Sequence, residues 1–245
     1  MLHRIHRALT PLIATLLLVL GTTTAAAQAP PLTFYGAQSG KETLDQSDGG
    51  GNPFASALID VLARPSLRLG QLPSLLAQLT KAKSGGLQVV DGPAFALPKT
   101  WRLHAGPGGG RRVALVIVFS RYDPAQGAPQ LPGAAGDATR VTDAFKAAGF
   151  DTQLVLDPDR DAYIAALEDF SQTSAKADAS ALYTTGHGVE VRGKIYLLPG
   201  NYPVKAGSSA LESNAIPVAS MIGTGKARSA NLFFFAGCRN NPFGS

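Results

Sequence analysis

A single cysteine, Cys238, stands in a chain of 245 residues, which excludes an internal disulfide framework and a zinc site built on Cys-x-x-Cys pairs. Charged residues are scarce at 16% and aromatics scarcer at 7%, and no Lys/Arg run carries the formal charge of +5. Nucleic acid is therefore not expected as a partner. No heptad pattern runs through the chain, so a long coiled coil is excluded. No stretch reaches the roughly 20 apolar residues that cross a bilayer. What is present is a hydrophobic fraction of 45% together with 27 Gly and 17 Pro. That composition excludes a disordered or collagen-like chain and supports a sizeable core in one large domain or two small ones.

The first 27 residues read as a secretory leader. His3, Arg4, His6 and Arg7 form a basic front, residues 8–20 an apolar run interrupted by Pro11, and residues 22–27 a small-residue end. This pattern predicts export, with cleavage near Ala27 and Ala29 as a second site that Pro30 would hinder. The mature protein is expected in the periplasm or outside the cell, with no membrane span. Loss of Arg4 and Arg7 would leave it at about +3.

Residues 32–38 (LTFYGAQ) have strand composition, and the polar stretch 41–52 reads as a loop. Pro53 opens a helix over 53–63, on which Phe54, Leu58, Val61 and Leu62 recur at helical spacing. Residues 72–83 predict a second helix, stopped by Gly85-Gly86, and 87–90 a short strand. A Pro- and Gly-rich connector spans 92–111. Beyond it, 113–119 (VALVIVF) is a continuous apolar run typical of a strand buried on both faces. A helix at 135–148, a strand at 151–156, a helix around 163–170 and a strand at 180–184 follow. A hairpin at 189–198, a helical segment at 216–222 and a strand at 230–235 complete the series. Such alternation predicts an α/β sandwich around a mostly parallel sheet of about six strands. The tripeptide Asn-Pro-Phe at 52–54 recurs at 241–243 without flanking similarity and is not a repeat.

His187 lies between Gly186 and Gly188 just past one predicted strand, and Cys238 follows another, 51 positions on. Both would emerge at the carboxyl edge of a parallel sheet, where open α/β folds place their sites. An imidazole beside a thiol accepts its proton or stabilises its thiolate. Gly188 can offer its N–H to a substrate carbonyl oxygen without an obstructing side chain, and the N–H of Cys238 is a natural second donor to that oxyanion hole. Singly, His187 reads as a satisfied turn histidine and Cys238 as a small buried hydrophobe; their joint placement points to catalysis.

The segments VALVIVFSRYD (113–123), LPGAAGDATRVTDAFKAAGF (131–150), TTGHGVEVRGKIYLLPGNY (184–202) and AGCRNNPF (236–243) resemble bacterial caspase-like peptidases of the metacaspase and orthocaspase group. The interval from His to Cys agrees with the roughly 50 residues of caspases. The resemblance implies the caspase-hemoglobinase fold, a three-layer α/β sandwich, and an endopeptidase with a Cys238–His187 dyad acting on peptide or protein without a cofactor. The stretch 33–90, with FYGAQSGKETLD and GNPFASALIDVL, is similar to the small-subunit half that follows the catalytic Cys in that family. A circular permutation is the resulting expectation: leader 1–27, then one domain over 28–245. Within it, 28–91 is small-subunit-like, 92–111 a connector and 112–245 large-subunit-like. This order would place the termini where caspases are cut during maturation, removing the need for that cut. A truncated gene product and pairing of halves between two chains are the competing explanations.

The chain also departs from the family. Ile117-Val118-Phe119 replace Ile-Gly-Asn, Gly136 replaces an Asn, and Thr184-Thr185 precede Gly186. Ala236 stands two before Cys238, where relatives carry an Asp implied to bind a basic substrate residue. An Ala cannot make a charge-assisted bond to a cation. Glu190 and Asp123 are acidic residues near the expected cleft that read as solvated surface. Asp45 and Asp48 fall short of the six to eight oxygens that Ca²⁺ takes, so no metal is expected. These departures keep a second reading open, a caspase-fold binding or scaffold protein without turnover.

Overall fold

The computed structural model describes residues 28–47, 50–93, 101–104, 106 and 109–244; the expected leader 1–27, connector residues 94–100 and Asp48 lie outside them. In chain order, β1 (Pro31–Tyr35) precedes α1 (Pro53–Leu62), α2 (Leu72–Lys83), β2 (Arg112–Val118) and α3 (Pro132–Ala147). Then come β3 (Asp151–Leu156), α4 (Arg160–Ser174), β4 (Ala179–Thr185), β5 (Gly188–Val191) and β6 (Lys194–Leu197). The last elements are α5 (Leu211–Asn214), β7 (Ile216–Pro217), α6 (Val218–Ile222) and β8 (Ala230–Phe235).

The apolar run of β2 is buried along its whole length, as a strand covered on both faces must be. Its side chains alternate between two cores: Ala114, Val116 and Val118 face α1, α2 and α3, while Val113, Leu115 and Ile117 face α4 and α6. A sheet with order β1-β8-β4-β2-β3 forms around it, every pairing parallel. The result is the expected α/β sandwich. A smaller antiparallel sheet, β5-β6-β7, packs beside it.

The N-terminal segment belongs to the same core. β1 runs parallel to β8 with Phe34 opposite Phe234, and these rings stack at 5.2 Å. Phe54 of α1 and Phe145 of α3 close on the same Phe234 ring at 6.5 and 6.3 Å. Asn52 caps α1, its Oδ1 accepting from the N–H of Phe54 at 2.8 Å, and Pro53 occupies the first helical position.

Three details differ from expectation. Among the described residues the central sheet has five strands; the sixth is reduced to one antiparallel bridge between Tyr35 and Asp91. Residues 87–90 are not a strand: the Ala37 carbonyl that would carry the ladder past the Tyr35–Asp91 pair accepts from Arg239 Nη1 at 3.2 Å, and the segment is tied down by the Gln88 side chain. Its Nε2 donates to the Gly36 carbonyl and its Oε1 accepts from the Leu44 N–H, while Leu87 and Val89 face solvent. Helix α3 begins at Pro132 rather than 135, because the Asp45 carboxylate accepts from the N–H groups of Gly133 and Ala134 at 2.9 Å each.

Candidate active site

Strands β4 and β8 are neighbours, and both point their carboxyl ends at the same edge of the sheet. Beyond β4 the chain turns through Gly186, whose φ of +153° is open to glycine and costly for an L side chain. A Cβ there would also strike the Tyr122 hydroxyl at 2.9 Å. His187 follows, and then Gly188 opens β5. A Cβ on Gly188 would lie 2.4 Å from the Cys238 carbonyl oxygen and 3.1 Å from the Cys238 nitrogen. The two loops therefore meet backbone against backbone, and only glycine permits that approach.

The orientation of Gly188 follows from strand parity. The His187 carbonyl accepts from Leu198 N–H, so 187 and 189 are turned toward β6, whereas Glu190 donates its N–H to the Asn240 carbonyl at 3.0 Å. Gly188 shares the parity of Glu190 and faces the Cys238 loop. The Cys238 N–H finds no acceptor among the described residues. The Gly188 and Cys238 N–H groups thus lie at the junction of the two loops without a protein acceptor among the described residues.

The imidazole of His187 is half-buried and held by a third group. Its Nε2 lies 2.9 Å from the Pro129 carbonyl, which can only accept, so in the neutral ring Nε2 carries the proton and Nδ1 is the free base. Tyr122 fixes the loop: its hydroxyl accepts the His187 N–H at 2.8 Å, and the two rings are 4.5 Å apart. Burial lowers the His187 pKa below its usual 6.5, with the Pro129 carbonyl and the Asp45 charge pulling weakly the other way.

The thiol of Cys238 makes its hydrogen bonds with Thr43 rather than with the imidazole. Thr43 N–H lies 3.3 Å and Thr43 Oγ1 3.5 Å from Sγ. Thr43, the Pro129 carbonyl and Tyr122 were not singled out from sequence. Thr43 sits in a polar loop whose composition carries no catalytic signal, and the Pro129 contribution is main-chain and thus independent of residue type.

Next to the cysteine, Arg239 is buried and paired through Nε and Nη1. Its Nε bonds Glu190 at 2.8 Å, its Nη1 bonds Asp91 at 2.7 Å, and the guanidinium lies 4.4 Å over the Tyr35 ring. Glu190 also accepts from the Ser39 hydroxyl at 2.7 Å. The expectation that Glu190 is solvated surface is thereby corrected: a buried guanidinium needs a carboxylate, and Glu190 supplies it. Asp123 remains exposed and caps a short turn through Ala125 N–H. Asp45 is committed to the start of α3. Among the described residues no group of three or more His, Cys, Asp or Glu side chains could hold a metal ion.

A cavity of about 560 Å³ lies elsewhere, bounded by Arg121, Asp157, Tyr163 and Ile216; His187, Gly188 and Cys238 do not line it. No described helix is long and apolar enough to cross a membrane. No curated protein matches the sequence. The sequence model of the caspase domain matches residues 111–245, more than half of the chain and the part that carries both His187 and Cys238. With its parallel sheet flanked by helices on both faces, the chain belongs to the caspase-domain family of cysteine peptidases.

Proposed function

We propose that the protein is an exported cysteine-type endopeptidase of the metacaspase and orthocaspase kind, working through Cys238 and His187. The observation that carries this reading is the contact of Gly188 with the Cys238 main chain, beside an imidazole whose free nitrogen is Nδ1. Cys238 attacks the scissile carbonyl carbon as thiolate, its proton passing to His187. The carbonyl oxygen becomes an oxyanion held by the N–H groups of Gly188 and Cys238, each such donor contributing about 3–4 kcal/mol. Collapse breaks the C–N bond, and the imidazolium returns its proton to the departing amine. Water then adds to the thioester, gives a proton to His187, and releases the acid while the thiol is restored. The thiol and imidazole make no hydrogen bond with each other, a looseness common before substrate is bound.

Ala236 is buried and offers no carboxylate, so a preference for Arg or Lys at the cut is not expected. The order of the halves is read as a circular permutation within one domain over 28–245. Its support is β1 beside β8 and the shared aromatic cluster around Phe234. Export rests on the sequence of residues 1–27, and N-terminal sequencing of the exported protein should begin at Gln28 or Pro30.

A positional peptide library incubated with wild type and Cys238→Ala tests the activity. Cleavage that vanishes in the variant is the expected result. Absence of any Cys238-dependent cleavage, with slow iodoacetamide labelling that is unchanged in His187→Ala, would instead fit a binding or scaffold protein. A mature single-chain monomer in size-exclusion chromatography supports the permuted domain; a swapped dimer overturns its single-chain form.

A further inference from the structure

We infer that Thr43 holds the Cys238 sulfur in its thiolate form, through two donors delivered by the N-terminal segment to a nucleophile 195 positions away. This assignment rests on the peptidase reading and extends it to a residue outside the matched stretch 111–245.

Four contacts define the arrangement. The Thr43 N–H points at Sγ from 3.3 Å, and Thr43 Oγ1 lies 3.5 Å from the same atom. That hydroxyl also reaches the Ala236 carbonyl at 3.2 Å, and Sγ lies 3.7 Å from the Thr43 carbonyl. The Ala236 carbonyl has a second donor, Asn52 Nδ2 at 3.3 Å. Asn52 is buried and cannot swing away, because its Oδ1 caps α1 and its Nδ2 also bonds the Leu44 carbonyl.

These contacts respond differently to the two states of sulfur. A neutral thiol can donate to the Thr43 carbonyl or Oγ1 while the Thr43 hydroxyl donates a hydrogen bond to the Ala236 carbonyl. A thiolate has no proton to give and only accepts. The hydroxyl then turns about its Cβ–Oγ1 bond and brings its O–H onto sulfur. Its proton never leaves Oγ1, and Asn52 keeps the abandoned carbonyl paired. Hydrogen bonds to an ionised acceptor are about twice as strong as neutral ones. Both Thr43 donors therefore favour the charged nucleophile, and the Ala236 carbonyl keeps a partner when the hydroxyl moves; what ionisation gives up is the thiol's own weak donation to the Thr43 carbonyl at 3.7 Å.

The test uses the full chain, in which Cys238 is the one thiol, so alkylation has a single site. Iodoacetamide labelling is followed across pH by intact mass for wild type, Thr43→Val, Thr43→Ala and Thr43→Ser, with urea unfolding in parallel. Losing the hydroxyl in Thr43→Val should move the labelling midpoint up by about one pH unit. Thr43→Ala, which adds no bulk, should shift the same way, and Thr43→Ser should return the midpoint to the wild-type position. Profiles of the Val and Ala variants that superimpose on wild type, whatever the urea midpoints do, would leave Thr43 as a loop anchor and overturn the assignment. Should the midpoint shift as expected while wild type shows no Cys238-dependent peptide cleavage, the Thr43 assignment stands and the peptidase reading falls.

Discussion

At the scale of single residues, the surroundings of Cys238 are set by one guanidinium. Arg239 ties Glu190 of β5 and Asp91 of the N-terminal segment to the cysteine loop, and its main chain exchanges bonds with Gly40 and Lys41. Truncating it leaves the largely buried Glu190 carboxylate without its counter-charge, a change that for a fully buried pair costs about 3–5 kcal/mol and here should approach the lower end. Arg239→Ala is therefore expected to lower the urea midpoint strongly, and the double variant Arg239→Met with Glu190→Gln to recover most of that loss. Asp137 makes an independent prediction. Burial pushes its pKa up to about 6 despite the Asn52 N–H and the Arg140 guanidinium, which pull it down. The folded state thus binds its proton more tightly than the unfolded chain, and stability falls as pH rises from about 4 to about 6. The total change is about 3 kcal/mol, and Asp137→Asn should flatten it in unfolding curves recorded across that range. For His187 the direction is opposite in consequence. Its lowered pKa keeps the imidazole neutral further into acid, so the acid limb of the pH–rate profile should fall below pH 6.5.

Among the elements, α3 shows how far local signals carry. Its body was legible from Ala138, Val141, Phe145 and Ala148, which recur at helical spacing and are buried. Its first turn was not, because the residue that satisfies those N–H groups is Asp45, nearly ninety positions earlier in sequence. Asp45→Ala should cost about 0.5–2 kcal/mol, the usual value of a lost cap, while α3 remains helical by circular dichroism. Residues 87–90 fail for the same reason in reverse. Their composition suits a strand, but Gln88 finds better partners in Gly36 and Leu44 once the chain is folded. The glycine-flanked histidine and the cysteine after the last strand were both visible in sequence. What surrounds them was not, since the Pro129 carbonyl and the Tyr122 hydroxyl come from the β2–α3 loop and the Thr43 donors from the β1–α1 loop, brought together only by tertiary packing.

For the whole molecule, the question is whether residues 28–93 are an appendage or half of the fold. β1 supplies the edge partner of β8, and Leu32, Phe34, Phe54, Leu58 and Val61 share one core with Val116, Tyr183 and Phe234. Removing that segment would expose the long edge of β8 and strip one face of its apolar cover, both of which promote aggregation. The alignment of backbone and core predicts something further about covalent continuity. A site-specific protease sequence inserted between Pro93 and Trp101 would leave every contact among β1, α1 and β8 in place after cutting. The two pieces are therefore expected to co-elute as one species in size-exclusion chromatography without denaturant. They should separate only in urea concentrations that also unfold the intact chain. If peptide cleavage by Cys238 is confirmed, the cut form should retain it, because Thr43 and Asn52 reach the cysteine loop through packing rather than through the joining chain. Separation of the pieces under native conditions would mean that the N-terminal segment is held by its tether, and that the single shared core is too weak to define one domain.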